Sequence, residues 1–169
     1  MKTRHLLSLL LAGLLALALC GCGGNEPPAA ARTADMEALQ TALLAADPSL
    51  PEMRSITGKV EDAQKLFLYV SDLPYDKVED FLLSYSAEGK ADEIAVIAVK
   101  DPADAEEAAE TLQAHLEQRL TLFRQYTPDQ VSRAEKALVF TQDQYAVLLI
   151  CDGNQDVKAA LEDFLAQAQ

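Results

Sequence analysis

The chain has 169 residues, and 27 acidic against 14 basic side chains give it a formal net charge of −13. That balance excludes the basic face a nucleic-acid binder needs for phosphates, and it disfavours a protein lying flat on anionic lipid. With half of its residues hydrophobic, no Trp and 3 Cys, it has material for one hydrophobic core but few of the usual catalytic side chains.

The N-terminus has a basic tip, Lys2 and Arg4, then an apolar run from Leu6 to Leu19 and a stretch of small residues. This is the layout of a secretory signal, and it ends in cysteine as bacterial lipoprotein signals do. Cys22 has Leu19 at −3 and Gly21 at −1, whereas Cys20 has the bulky Leu19 at −1. Cys22 is therefore the expected lipidation site, and Cys20 leaves with the signal. A membrane anchor would need roughly 20 apolar residues, more than this run supplies. The expected organisation is a signal peptide over 1–21, a lipidated tether over 22–33 and a single α+β domain over 34–169. Two acyl chains on Cys22 would hold the protein stably at the outer face of the cytoplasmic membrane. The tether, Gly23-Gly24-Asn25-Glu26-Pro27-Pro28 followed by alanines, would reach roughly 35 Å at about 3.3 Å per residue. Loss of Lys2 and Arg4 with the signal takes the charge from −13 to −15.

Met36, Leu39 and Leu43 fall at helical spacing, with Thr33 as N-cap and Pro48 and Pro51 closing the helix. Residues 61–70 fit a helix through Ala63, Leu66, Phe67 and Val70, although Leu66 to Val70 also suits a strand; helix is the preferred reading. Val78 to Tyr85 alternates as a strand does. Glu93 to Val99 is a clear strand rich in β-branched residues, and the two would pair as a hairpin. Asp101 then caps a long helix, with Pro102 at its first position and acidic residues on its first turn. Ala105, Ala109, Leu112, Leu116, Leu120 and Phe123 form its apolar stripe, and Pro128 stops it. A short helical turn to Lys136 precedes a second hairpin, Leu138-Val139-Phe140 and Tyr145 to Cys151. Val157, Ala160, Leu161, Phe164 and Leu165 make the stripe of a last helix. The expected fold is α+β, a small mostly antiparallel sheet of two hairpins with helices packed on one face.

Three stretches carry a family likeness: Ala91-Asp92-Glu93-Ile94-Ala95-Val96 running into Lys100-Asp101, Tyr126-Thr127-Pro128, and Tyr145-Ala146-Val147-Leu148-Leu149-Ile150-Cys151-Asp152. Over roughly Val78 to Asp152 the chain resembles a family of small lipoproteins of Gram-positive anaerobes, defined as domain of unknown function 4358. Where members of that family often place Gly-Asn before the hairpin tyrosine, this chain has Asp143-Gln144. The resemblance implies a fold and an extracytoplasmic lipoprotein, and it brings no activity and no functional residues.

The chemistry-bearing residues are sparse. Asp92-Glu93 reads either as a carboxylate pair for a cation or basic partner or, preferably, as a solvated turn with Glu93 on the outer face, because adjacent strand residues point to opposite faces. Asp101, Asp104, Glu106, Glu107 and Glu110 fit a helix start better than a calcium loop. Cys151 and His115 are the only thiol and imidazole expected after processing, but Cys151 ends an apolar strand and His115 lies off the apolar stripe, towards solvent. Tyr69, Tyr75, Tyr85, Tyr126 and Tyr145 could form a binding surface or simply close the core rim. Tyr126, Tyr145 and Asp92 are the candidate binding residues. No catalytic residue, metal site or cofactor is expected. The expected function is a non-catalytic binding or assembly module of the cell envelope, with the membrane, an envelope protein or a small ligand as partner. The alternative is a small glycan-cleaving enzyme using carboxylates alone.

Overall fold

A computed structural model describes residues 33–168. The predicted signal peptide, Cys20, Cys22 and the tether up to Arg32 lie outside the described residues. In chain order the elements are α1 (Met36–Ala46), β1 (Met53–Thr57), α2 (Ala63–Phe67), β2 (Val78–Ser86), β3 (Glu93–Val99), α3 (Ala105–Tyr126), α4 (Val131–Ala134), β4 (Leu138–Gln142), β5 (Tyr145–Ile150) and α5 (Asn154–Ala168). The strands form one sheet in the order β1-β2-β3-β5-β4, and every neighbouring pair is antiparallel. Both expected hairpins are present, β2–β3 and β4–β5, and the fold is α+β.

Helices cover both faces of the sheet, a correction to the one-face arrangement. On one face Ala95 and Ile97 of β3 and Leu148 and Ile150 of β5 pack with Phe67, Leu112 and Leu116 from α2 and α3. On the other, Ile94, Val96, Val147 and Leu149 pack with Leu39, Leu43, Val157 and Leu161 from α1 and α5. The physical reason is written in β3 and β5. Each is buried at every position, and a strand apolar on both sides of its pleat needs a cover on each side.

Local chemistry sets the helix ends. Asp35, not Thr33, caps α1; its Oδ1 accepts from the Glu37 amide at 3.0 Å. Asp101 accepts from Ala103 N at 3.0 Å, as its position before Pro102 predicts, and a short 3₁₀ turn over Pro102–Asp104 leads into α3. Asp47 closes α1 and ties it to the start of α5, since its Oδ2 accepts from Gly153 N at 2.8 Å. A Cβ at position 153 would sit 2.7 Å from the Asp47 carboxyl carbon, so the close approach requires glycine. In the β4–β5 turn, Asp143 takes the positive φ of 52° that Asp tolerates better than most residues. The short edge strand β1, which periodicity does not mark, is held by its pairing with β2.

Candidate functional site

The two faces differ at one end. Helix α2 is only 5 residues long, too short to cover the β1–β2 end of the sheet. Between it, α3 and the strands opens a cleft of about 520 Å³. Its walls are Ile56 of β1, Leu83 and Tyr85 of β2, and Leu66 and Tyr69 on and just after α2; Glu93, His115 and Arg119 form its polar part. The register explains the grouping: Ile56 lies opposite Leu83, and Tyr85 opposite Glu93. His115 and Arg119 are four apart on α3 and so share a face.

Glu93 is 2% exposed, which corrects its expected place on an outer face. It shares the α3 side of β3 with Ala95 and Ile97, and a central strand has no solvated side. Its charge is compensated locally. Oε1 accepts from His115 Nε2 at 2.6 Å, and Oε2 lies 3.1 Å from Arg119 Nη1. A carboxylate facing a guanidinium accepts only, so His115 must donate through Nε2. His115 is correspondingly drawn in, with its side chain 16% exposed rather than directed to solvent. The Arg119 guanidinium also stacks over Phe123 at 4.8 Å from the ring centre. Its Nη2 makes only long contacts, 3.4 Å each, to the carbonyls of Lys90 and Ala91. Its Nε is buried with no partner among the described residues, a state that typically costs about 1–3 kcal/mol.

The three residues singled out from sequence are not brought together. Tyr126, at the end of α3, is 70% exposed. Tyr145 is buried on the α1–α5 face, where its hydroxyl accepts from Ala34 N at 2.9 Å; burial, first of all, raises its pKa. Asp92 is buried against Arg133 at 2.7 Å, and Arg133 also holds Asp152 at 2.7 Å, a tie between α4 and the end of β5. Arg119 escapes sequence reading altogether. The signal available for it was its i, i+4 spacing from His115 on the flank of the apolar stripe.

Cys151 and His115 are on opposite sides of the sheet. Cys151 belongs to the α1–α5 core, its Sγ donating to Asn154 Oδ1 at 3.1 Å. Burial, with the nearby Asp47 carboxylate, pushes its thiol up to about 12. Such a thiol is not a nucleophile at neutral pH. Asp47 moves the other way. Desolvation pushes its pKa up, but hydrogen bonds from Ser49 and Gly153 outweigh that and hold it below the ordinary value. Among the described residues no three His, Cys, Asp or Glu side chains are placed to hold a metal ion.

Neither a curated protein nor a solved structure matches this chain. A family model does, over residues 55–151. The matched segment runs from β1 to the residue after β5, includes every cleft-lining side chain, and leaves out α1 and α5. More than half of the sequence being matched, the chain belongs to the family described as Domain of unknown function (DUF4358).

Proposed function

We propose that this protein is a lipid-anchored, extracytoplasmic binding module that takes its ligand in the α2–α3 cleft and performs no chemistry on it. The observation that carries the reading is the cleft's composition. It combines apolar and tyrosyl walls with a few convergent polar groups, which is the make-up of a ligand site. Its one carboxylate, Glu93, is already engaged by His115 and Arg119. Glycan cleavage would need a second acid about 5 Å or roughly 6.5–9.5 Å away, and the lining contains none. The thiol that His115 could have activated, Cys151, is beyond the sheet and not in the lining.

The anchor is the other half of the proposal, and it rests on Leu19, Gly21 and Cys22. In this reading a lipid on Cys22 supplies the attachment. Metabolic labelling with an alkyne fatty acid in a bacterial host tests it. Label is expected to persist in Cys20→Ser and to vanish in Cys22→Ser; label retained in Cys22→Ser would overturn the assignment.

A further inference from the structure

We infer that the cleft recognises a carboxylate carried on an apolar, aryl-sized body. This deepens the reading of the cleft as the ligand site and rests on it. The argument is an inventory of what the cleft leaves free. Both Glu93 oxygens are taken, one by His115 and one by Arg119, and the side chain is buried. An incoming cation therefore finds no open acceptor in the lining carboxylate. The donors are less fully used. Arg119 has one well-formed partner and, from Nη2, only two contacts at 3.4 Å, while its partnerless Nε is buried away from the cleft's open space. The hydroxyls of Tyr69 and Tyr85 bond to no described residue. A planar guanidinium with spare N–H groups is matched by a carboxylate, and such charge-assisted bonds are about twice as strong as neutral ones.

The rest of the ligand follows from the walls. Ile56, Leu66 and Leu83 are aliphatic, and two tyrosine rings flank them, so the body beside the carboxylate is apolar or aromatic. A volume of about 520 Å³ is that of a small-molecule site. A free amphipathic acid and the C-terminus of a peptide ending in an apolar residue present the same chemistry.

The test uses the full chain in detergent, with amide NMR titrations of three probes: N-acetylphenylalanine, its carboxamide, and an acetylated tripeptide ending in phenylalanine with a free carboxylate. The acid is expected to bind at least tenfold tighter than the amide, with shifts at Tyr85, Glu93 and His115, and Tyr85→Phe is expected to weaken the acid more than the amide. The ratio of acid to amide in the unaltered protein holds even if a variant folds poorly. A tripeptide tighter than the single residue assigns the site to peptide C-termini; equal affinity assigns it to free acids. Equal binding of acid and amide in the cleft would overturn the carboxylate while leaving the ligand site standing. Absence of cleft shifts with every probe, and with a matching set of amines, would overturn both.

Discussion

The two faces of the sheet are made by the same strands and differ in how completely they are sealed. On the α1–α5 face, two helices of 11 and 15 residues close over Leu82, Ile94, Val96, Val147 and Leu149. The polar groups there, Asp47, Asn154 and the Tyr145 hydroxyl, each have a hydrogen-bond partner. The opposite face has one long helix, α3, and the brief α2, and it carries the buried Glu93 with its partners His115 and Arg119 beside an open cleft. Both faces carry core, but only the second leaves room for the cleft proposed as the ligand site. The family-matched segment contains the whole cleft, whereas both sealing helices lie outside it. A single layer of strands can thus be core on both sides yet be fully covered on only one, and the shortness of α2 leaves the opening on the other.

The widest separation between the faces is expected from truncating leucines. Leu39, fully buried between α1 and the sheet, should lose about 2–5 kcal/mol on conversion to alanine. Leu66 lines the cleft and is only half-buried, so Leu66→Ala should cost less than about 1 kcal/mol, because the removed atoms already bordered open space. Urea denaturation midpoints of the two variants measure the contrast. Similar midpoints would mean that the cleft is as tightly packed as the sealed face.

A smaller effect separates position from charge within the cleft. His115→Leu removes the donor to Glu93 Oε1 and leaves a buried carboxylate oxygen unpaired, for which about 1–3 kcal/mol is expected. His115→Gln can keep an N–H directed at Glu93 and should recover most of that loss. If both variants unfold at the same urea concentration, the contact at 2.6 Å contributes shape alone.

What sequence made legible is the periodic part. α3 declared itself by a stripe recurring every three to four residues, and Ile94–Val99 by an unbroken apolar run rich in β-branched residues. That run also held the information about two covered faces, since a strand buried only on one side would have alternated. β1 was illegible because Met53-Arg54-Ser55-Ile56-Thr57 is short and mixed, and its order comes from pairing with β2 rather than from its own pattern. Glu93 was misplaced for a related reason. An acid at the mouth of a strand is ordinarily solvated, and only the docking of α3, which brings His115 and Arg119 onto it, lets it be buried. That meeting joins residues 22 and 26 positions apart in the chain, a tertiary event no local pattern encodes.

The smallest expected effect belongs to the sealed face and concerns its thiol. Burial raises Cys151 to about 12, against about 8.5 for a thiol in an unfolded chain. Between those values the unfolded state gives up the thiol proton and the folded state keeps it. The stability tied to this group is therefore fully present below about pH 8.5 and is lost as pH rises towards 12. The slope is roughly 1.4 kcal/mol per pH unit once the unfolded thiol is ionised, so a loss on the order of 1 kcal/mol is expected by pH 9.5. Tyrosines and lysines titrate in the same range, Tyr145 among them with its raised pKa, so the wild-type curve alone is not diagnostic. Cys151→Ala keeps every other group and removes this one. The difference in unfolding free energy between wild type and Cys151→Ala should be flat from pH 6 to 8 and then fall in favour of the variant. In parallel, native Cys151 should resist iodoacetamide at pH 8 and react once urea opens the fold. A difference that stays constant to pH 10, or rapid alkylation of the native protein, would show that the thiol meets solvent and that the α1–α5 face is less sealed than its packing implies.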